Sequence, residues 1–299
     1  MHKFLSDVLA SPGFSKIDGA SYYYYDSSEE YDDFKIIRAD SYLKDKAKSI
    51  VNLGKHLTGK GSGGVPIHVA IIPDGNRRWA RAKWKMPFFG HYSAASYDRI
   101  ESLFAQAKEL GVKYLSIWGF STENWKRNSV EIQSIFDLIT KGIEHFKLVA
   151  KRHKICFKHI GRKDRLPSSL ISALDELEEA TKKYDEFHVL LLLDYGGRDE
   201  IIRAVNKMLS SGIKDVDEES FKLYLDTEEI PDPDLIIRTS GEQRTSGFMP
   251  YQSTYAELYF SSKYFPDFSA ADLKEAVLQF SGRIRRFGAT ANEDLKKKK

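Results

Sequence analysis

Residues 67–91 read IHVAIIPDGNRRWARAKWKMPFFGH, and this stretch indicates the class of fold. An apolar run at 69–72 is typical of a buried strand, and Pro73 ends it. A carboxylate, a glycine, an amide and two arginines follow directly at positions 74–78. Open parallel sheets bind their ligands at the carboxyl ends of the strands, so we expect these polar residues to face a ligand.

The polar residues after this run suit a polyanion and its metal ion. Asp74 can hold a divalent cation, and Gly75 lets the backbone approach phosphate oxygens closely. The guanidinium groups of Arg77 and Arg78 can each bind a phosphate through two parallel hydrogen bonds. An ordinary strand-to-helix turn with solvated arginines explains this stretch alone equally well, because phosphate-binding motifs are usually richer in glycine.

The composition describes a globular protein without a strong overall charge. The 299 residues can form one large domain or two small ones, and 41% of them are hydrophobic. The net charge of +3 gives no basic field, so we expect no nucleic-acid partner. The single cysteine, Cys156, excludes an internal disulfide, and no apolar run approaches the roughly 18 residues of a membrane span. We therefore expect a cytoplasmic protein.

The chain has three segments of different composition. Residues 1–64 form a tyrosine-rich, acidic extension, in which 39–57 have the apolar spacing of an amphipathic helix. A glycine- and serine-rich link at 59–64 ends it, and we expect one domain from 65 to 290. Residues 291–299 form a basic tail. A peripheral addition explains the extension more simply than a lid or a partner-binding arm.

Strand-like and helical patterns alternate through residues 65–290. Apolar runs suitable for strands occur at 67–72, 114–120, 155–160, 188–193, 235–238 and 257–260. Helical patterns occur between or after them at 93–110, 129–152, 167–184, 197–210, 217–226 and 270–282. This alternation predicts an α/β domain with a mainly parallel six-stranded sheet flanked by helices.

Polar loops follow several of the predicted strands. Residues 119–127 follow the second strand, 194–198 the fourth and 238–247 the fifth, so one shared rim is expected. The cations expected there are Arg77, Arg78, Arg127, Arg238 and Arg244, with His91 near them. Only two carboxylates, Asp74 and Glu257, are expected close enough to serve a metal. That ratio predicts a site for a highly charged anion such as a diphosphate, with one Mg²⁺.

Other enzyme classes leave no signature in the sequence. No cluster of cysteine or histidine has the spacing of zinc ligands, and neither a nucleophile elbow nor a Walker motif occurs. Apolar residues predicted to line a cleft between the first two helices are Trp79, Trp84, Phe88, Phe89, Leu103, Phe104, Trp118, Ile135, Phe136 and Ile139. Core packing explains each of these more simply, but together they suit a substrate with an anionic head and an apolar tail.

A series of motifs resembles those of the cis-prenyltransferases, the undecaprenyl diphosphate synthase family. In order they read HVAIIPDGNRRWA, FGH, FSTENWKR, YGGRDEI, DLIIRTSGEQRTSGF, YAELYF and RIRRFG, and they extend from about residue 67 to 288. The resemblance implies a dimer with a hydrophobic tunnel for the growing chain. It also implies an Mg²⁺-dependent condensation of isopentenyl diphosphate with an allylic prenyl diphosphate, which releases diphosphate and forms a Z-polyprenyl diphosphate.

The resemblance also implies roles for single residues. Asp74 matches an essential aspartate that handles Mg²⁺ and the diphosphate of isopentenyl diphosphate, and Glu257 matches a second metal-linked carboxylate. Asn124 matches an asparagine implicated in proton removal, and His91 a histidine that assists diphosphate departure. The remaining matches are Gly75, Asn76, Arg77, Arg78 and Trp79 for the allylic diphosphate; Ser121, Thr122, Glu123, Trp125 and Arg127 near the reacting carbons; Arg238, Arg244, Thr245 and Ser246 for isopentenyl diphosphate; and Arg285 and Arg286 near the subunit interface.

Several positions depart from the pattern of this family. Pro87 stands where many members carry an arginine, which removes a phosphate contact and leaves the preferred allylic substrate open. Asp194 stands where an asparagine often precedes YGGR, and Gly247 where bacterial members often have asparagine. Pro250 and Tyr251 replace a more usual leucine-tryptophan pair near the expected dimer contacts.

The partners expected are isopentenyl diphosphate, an allylic diphosphate and a second copy of the chain, with a heteromer as the alternative. Peripheral membrane contact through the lipid product is also expected. Two other functions remain open on the same fold. One is a non-head-to-tail condensation or prenyl transfer to another acceptor. The other is a non-catalytic subunit of a heteromeric enzyme, which is less simple because such subunits usually lose the aspartate and arginines of the first loop.

Overall fold

The computed structural model describes residues 14–17, 21–24, 64–86, 88–213, 215–283 and 285. The chain divides into two units, Met1–Thr58 and Gly59–Lys299. In the first unit, β1 (Phe14–Ile17) and β2 (Ser21–Tyr24) pair as an antiparallel ladder, which the sequence pattern did not predict. The positions outside the described residues include the predicted helix at 39–57, Pro87, Arg286 and the basic tail.

The second unit contains one parallel sheet of six strands in the order β5-β6-β4-β3-β7-β8. The strands are β3 (His68–Ile72), β4 (Tyr114–Ser121), β5 (Ile155–Ile160), β6 (Phe187–Tyr195), β7 (Leu235–Arg238) and β8 (Glu257–Phe260). Every pairing in this sheet is parallel, which confirms the predicted α/β class. Because β3 lies between β4 and β7, the loops that follow these three strands meet at one edge.

Helices connect the strands of this sheet. They are α1 (Asn76–Ala82), α2 (Phe88–Ala94), α3 (Tyr97–Glu109), α4 (Ser129–His153), α5 (Ser168–Thr181), α6 (Gly197–Ser210), α7 (Glu218–Lys222) and α8 (Ala270–Ser281). Two short 3₁₀ turns occur at Thr122–Lys126 and Phe265–Asp267. The pattern at 93–110 had predicted one helix, but α2 ends and α3 begins within it. None of the described helices is both long enough and apolar enough to span a bilayer.

The core lies on both faces of the sheet. Along β3, Val69 and Ile71 pack into the larger cluster with residues of α3, α4, α5 and α8. Ala70 and Ile72 point to the opposite face and join a smaller cluster. All five residues of β3 are buried, as expected for a central strand of a parallel sheet covered on both sides.

A buried histidine lies in the same strand, at the amino end of the sheet. The Nδ1–H of His68 donates to the carbonyl oxygen of Pro231 at 2.7 Å, and its Nε2 is 2.7 Å from the Ser116 hydroxyl. Burial lowers the pKa of His68 to about 4. His68 is therefore neutral in the folded protein at pH 7.

The free energy of unfolding is expected to fall as the pH drops from 6.5 towards 4. In this window the unfolded chain protonates His68 with the ordinary histidine pKa of 6.5, whereas the folded chain excludes the proton. Stability therefore rises with pH by about 1.4 kcal/mol per pH unit for one such histidine, and this contribution is complete above pH 6.5. Urea unfolding at several pH values measures this slope. The variant His68→Asn should have a smaller slope, and an unchanged slope would contradict the assignment.

Candidate active site

Asp74 lies directly after β3 and is the centre of a charged network. Its Oδ1 accepts the backbone N–H of Gly75 at 2.6 Å and the Arg78 guanidinium at 3.2 Å. Its Oδ2 accepts a hydrogen bond from Arg238 at 2.8 Å. Burial alone would raise the pKa of Asp74, but the bond and charge of Arg238, the Gly75 N–H and the charge of Arg78 outweigh it and lower the pKa. Asp74 is therefore ionised at neutral pH.

Gly75 makes the turn from Asp74 into α1 possible. Its φ of 97° lies in the left-handed region. A Cβ at this position would lie 2.5 Å from Cδ1 of Tyr264 and 2.9 Å from Cβ of Ser240. Only glycine fits both constraints, and the turn places Arg78 beside the carboxylate.

Arg238 ends β7 and is almost fully buried. One of its terminal nitrogens, Nη1, donates to the carbonyl oxygen of Arg244 at 2.6 Å and to the Ser246 hydroxyl at 2.8 Å. The other donates to Asp74, while its buried Nε has no partner among the described residues. The loop after β7 is therefore folded around this guanidinium. The carbonyl of Thr245 closes the loop by accepting the N–H of Phe248 at 3.0 Å.

Glu242 lies on the same loop and pairs with two arginines. The Nη1 of Arg78 donates to Glu242 Oε1 at 2.7 Å, and Arg244 pairs with Oε2. The second terminal nitrogen of Arg78 donates to the Ser240 hydroxyl at 2.7 Å. Glu242 was not among the residues predicted for the site, although it lies in the sequence between the predicted Arg238 and Arg244.

The 3₁₀ turn after β4 brings Asn124 to the same edge. Oδ1 of Asn124 accepts the backbone N–H of Ser121 at 3.1 Å, so that a capping box fixes the orientation of the carboxamide. Ser121, Glu123 and Asn124 line a polar cavity together with Asp74. Trp125, which was also predicted for the site, does not line the polar cavity, because its indole N–H donates to Asp194 at 2.8 Å.

Glu131 holds a second cluster of charges at this edge. Its Oε1 is 3.2 Å from Arg127, 3.7 Å from Nε2 of His91 and 3.9 Å from Nε of Arg77. Burial and, next, the charge of Arg127 lower the pKa of His91 to about 4, so the imidazole is neutral at pH 7. Glu131 was also missed, although it lies four residues after Arg127 on the first turn of α4.

Two adjoining cavities open at the carboxyl ends of β3 and β4. The polar cavity has a volume of about 580 Å³ and is lined by Asp74, Asn76, His91, Ser121, Glu123, Asn124, Arg127, Arg198, Arg238 and Ser246. The apolar cavity lies between α3 and α4 and has a volume of about 210 Å³. Pro73, Asn76, His91 and Gly119 line both cavities, so the two are contiguous. Arg198, on the first turn of α6, was not among the predicted site residues.

The predicted apolar residues are divided between the cavities, the core and the surface. Phe104, Ile135 and Ile139 line the apolar cavity, and Trp118 lines the polar one. Leu103 and Phe136 are core residues, and Trp79 is buried with its indole N–H donating to Asp267. Trp84 and Phe89 are exposed. The side chain of Phe88 is outside the described part of the structure.

The prediction that Glu257 shares the rim with Asp74 is wrong within one chain. Glu257 begins β8 and pairs in register with Leu235, whereas Arg238 at the rim pairs with Phe260. A strand rises about 3.3 Å per residue, so Glu257 lies about 10 Å from the rim along the strand. Its carboxylate accepts a hydrogen bond from Arg283 at 2.7 Å. Within the described residues, no group of three or more His, Cys, Asp or Glu side chains could hold a metal ion.

The expectation of only two rim carboxylates is also corrected. Glu131 and Glu242 pair with the rim arginines, and Glu123 lines the polar cavity. Arg285 lies at the opposite edge, where it pairs with Asp234 at 2.5 Å. Against four carboxylates at positions 74, 123, 131 and 242 the rim carries six arginines, at positions 77, 78, 127, 198, 238 and 244, so that most but not all of its positive charge is neutralised.

The chain is thus an α/β protein whose parallel sheet opens, at the carboxyl ends of its central strands, on joined polar and apolar cavities. A family model described as putative undecaprenyl diphosphate synthase matches residues 72–288. The chain therefore belongs to the undecaprenyl diphosphate synthase family, the cis-prenyltransferases, and is an enzyme that transfers prenyl groups.

Relatives and solved structures agree with this placement. An isoprenyl transferase of Aquifex pyrophilus is 42% identical over 229 residues, which cover 77% of this chain and 98% of the relative. A tritrans,polycis-undecaprenyl-diphosphate synthase (geranylgeranyl-diphosphate specific) of Thermococcus kodakarensis is 40% identical, and the match covers 83% of this chain and 92% of that relative. The structure is also similar to the crystal structure of a lavandulyl diphosphate synthase from Lavandula x intermedia in complex with dimethylallyl diphosphate. The TM-score is 0.72 and the sequence identity 35%, and the match covers 75% of this chain and 99% of the lavandulyl diphosphate synthase chain.

Proposed function

We propose that the enzyme condenses isopentenyl diphosphate with an allylic prenyl diphosphate, forming a Z-polyprenyl diphosphate and releasing diphosphate. The joined cavities carry this proposal. The polar cavity offers Asp74, Arg238 and Asn124 to charged groups, and the apolar cavity between α3 and α4 offers only hydrocarbon contacts over most of its wall. An allylic diphosphate has a matching charged head and apolar tail, so that one molecule can occupy both.

Two sets of donors would bind the two diphosphates. Arg238 and Ser246, already joined by a hydrogen bond, face the polar cavity and would bind isopentenyl diphosphate. Arg244 and Thr245 belong to the same loop and complete this set. The allylic diphosphate would bind at the turn formed by Gly75, Asn76, Arg77 and Arg78, which Trp79 supports from the core. Fixing both diphosphates holds the reacting carbons in line and reduces the entropic cost of the reaction.

In the condensation, the allylic carbon loses its diphosphate and bonds to the terminal methylene carbon of isopentenyl diphosphate. Bond formation leaves a positive charge on the methyl-bearing carbon of isopentenyl diphosphate. A proton then leaves the CH2 group next to that carbon, on its diphosphate side, as the new double bond forms. A carboxamide is too weak a base to keep that proton, so Asn124 would orient the C–H bond and the departing diphosphate would accept the proton. Neutral His91, at the junction of the cavities, would donate a hydrogen bond to the leaving group.

The residues present fit one Mg²⁺ that is held largely by substrate. Mg²⁺ commonly binds one or two carboxylates together with substrate phosphates and several waters. Asp74 is ionised and lines the polar cavity, so it would hold the ion with the diphosphate oxygens. When bound, the ion supplies positive charge that offsets the charge developing on the departing diphosphate.

Incubation with isopentenyl diphosphate, Mg²⁺ and allylic primers of several lengths tests the proposed function. Chromatography and mass spectrometry should show products that exceed the primer by whole isoprene units. Retention against reference Z and E compounds should identify the new double bonds as Z. If no primer supports consumption of isopentenyl diphosphate, the proposal is wrong.

A non-head-to-tail condensation is the second candidate. The similarity to a lavandulyl diphosphate synthase solved with dimethylallyl diphosphate favours it. Incubation with dimethylallyl diphosphate alone separates the two candidates, because only the second forms a larger prenyl diphosphate without isopentenyl diphosphate. Prenyl transfer to another acceptor would instead require an added acceptor. A purely non-catalytic subunit is disfavoured because Asp74 and Arg78 are retained and lie together.

We also propose a cytoplasmic homodimer that contacts the membrane through its lipid product, as the family resemblance suggests. Light scattering of the purified chain measures the oligomeric state, and the mass of a single chain would contradict the dimer. Flotation with lipid vesicles, before and after product formation, measures the membrane contact. Vesicle binding that does not depend on product would contradict its proposed origin.

Filling the apolar cavity from Gly142 is expected to shorten the products. Gly142 lies in α4 and lines the cavity, and no heavy atom lies within 4 Å of a Cβ built on it. The variant Gly142→Phe should therefore occupy space that the hydrocarbon chain needs, and product chromatography measures the change. The control Gly142→Ala should leave product length unchanged and stabilise α4 by about 0.5–1 kcal/mol. Equal product lengths from parent and Gly142→Phe would show that the chain grows elsewhere.

A further inference from the structure

Asp194 is a fully buried carboxylate outside the charged networks of the polar cavity. It lies near the carboxyl end of β6, and its backbone is left-handed with a φ of 49°. Arg165, from the loop between β5 and α5, binds both carboxylate oxygens, with Nε 2.7 Å from Oδ2 and Nη2 on Oδ1. The indole N–H of Trp125 donates to the same carboxylate at 2.8 Å. These contacts meet the requirement that a buried charge be paired and hydrogen-bonded.

The Trp125 ring is held from several directions. It packs edge-on against Phe120, with ring centroids 5.4 Å apart, and lies 5.5 Å from the Phe136 ring. The guanidinium carbon of Arg165 lies 5.6 Å from the indole centroid. Apolar packing restrains the plane of the ring, and the bond to Asp194 restrains rotation within that plane. The indole therefore has one orientation as long as the carboxylate is in place.

The Trp125 indole with its partners Asp194 and Arg165, called the anchor from here on, is directly connected to Asn124. Asn124 precedes Trp125 in the same 3₁₀ turn, and its carboxamide is fixed on the other side by the N–H of Ser121. The end of β6 also contacts the turn, since a Cβ on Gly196 would lie only 2.2 Å from Oγ1 of Thr122. The position of the carboxamide in the polar cavity thus depends on the end of β6.

We propose that Asp194 and Arg165 are positioning residues for the condensation, which hold Trp125 and, through it, the carboxamide of Asn124 against the substrates. The inference rests on the proposed function, because the placement of Asn124 matters only if the reaction occurs in the polar cavity. An asparagine at position 194 would offer Trp125 an acceptor but no charge to bind Arg165. The aspartate makes the anchor of this chain an ion pair.

Kinetics of three variants test the positioning role. Trp125→Phe removes the indole N–H but keeps a ring, Arg165→Met removes the charge, and Asp194→Leu removes the acceptor. Each should lower kcat about tenfold or more, because small misplacements of reacting groups cost up to about a hundredfold in rate. KM for either diphosphate should change less than threefold, since neither Asp194 nor Arg165 lines the polar cavity.

A matched ion pair serves as the control. Arg203 on α6 binds both carboxylate oxygens of Asp226, so its geometry resembles that of Arg165 and Asp194, but neither Arg203 nor Asp226 lines the polar or the apolar cavity. Arg203→Met and Asp226→Leu should keep kcat within twofold even if they lower stability. If the variants at 165 and 194 also keep kcat within twofold, or if both pairs lower it equally, the positioning role is overturned.

Tryptophan fluorescence tests the anchor without requiring turnover. The emission of Trp125 is obtained by subtracting the spectrum of the corresponding Trp125→Phe protein in each background. Acrylamide should quench this component more strongly in Asp194→Leu and Arg165→Met than in the parent or in Asp226→Leu. Unchanged quenching would overturn the anchor, whereas an inactive parent with the expected quenching would contradict the proposed function only. If Asp194→Leu does not fold, the quenching of Arg165→Met tests the anchor instead. The Arg165 side chain is 37% exposed, so its replacement disturbs the core less.

Discussion

Replacement of Asp74 by asparagine is expected to lower kcat/KM by about a thousandfold. Electrostatic contacts that act on a transition state are commonly worth a hundredfold to a thousandfold each. Asp74 bonds to two arginines and, on the proposed function, would also hold the metal ion. Asparagine has nearly the same shape and keeps an oxygen for the Gly75 N–H, which now lies 2.6 Å from the carboxylate. The fold should therefore survive. Initial rates of incorporation of radiolabelled isopentenyl diphosphate measure the loss.

Asp226→Asn is the control for this experiment. Asp226 also accepts hydrogen bonds from an arginine, with Arg203 Nη1 at 2.6 Å, but it lies outside the polar cavity. Its replacement should change the rate less than twofold. If Asp74→Asn incorporates isopentenyl diphosphate as well as the parent, Asp74 has no role in the chemistry.

Replacement of Arg238 by methionine is expected to raise KM for isopentenyl diphosphate about a hundredfold. A charge-assisted hydrogen bond contributes about 1.5–3 kcal/mol, so losing the bonds to one diphosphate costs about 3 kcal/mol, which corresponds to two powers of ten. The side chain of Arg238 is only 7% exposed, and Asp74 would lose its closest guanidinium. Stability should therefore also fall, by about 2–4 kcal/mol.

Binding and stability can be separated with Arg203→Met. That variant also breaks an ion pair and should lose stability, but KM for isopentenyl diphosphate should stay within twofold of the parent. Steady-state kinetics and urea unfolding of both variants give the two quantities. If Arg238→Met changed stability alone, Arg238 would be a structural residue of the loop after β7.

The fold was predictable because the apolar runs are short and clearly bounded. β7 occupies 235–238 as predicted, since Asp234 and Thr239 limit the run on both sides. The break between α2 and α3 was not predictable from the pattern. There the Arg99 guanidinium donates to the carbonyl oxygens of Phe265 and Phe268, and contacts between residues so distant in sequence leave no local periodicity.

The position of Asp74, Asn124 and Arg238, which follow strands, was predictable, whereas that of Glu131, which lies on a helix, and of Glu257, which begins a strand, was not. Asp74, Asn124 and Arg238 lie together because the carboxyl ends of β3, β4 and β7 are neighbours. The misplacement of Glu257 could have been avoided, because a residue that begins a parallel strand must lie at the opposite edge of the sheet from a residue that ends the neighbouring strand. Glu131 reaches the rim from a helix, so its place depends on packing that the strand pattern does not encode.

The ion pairs of the rim determine how a ligand enters it. Arg78 and Arg244 share Glu242, and Arg127 pairs with Glu131. On the proposed function, a diphosphate that binds Arg78, Arg127 or Arg244 would therefore have to displace a glutamate from it, in the manner of an anion exchanger. A ligand with a greater charge density than a carboxylate would make this exchange favourable. Prenyl alcohols and prenyl carboxylates, which have the same tail, would be rejected at the entrance before any chemistry begins.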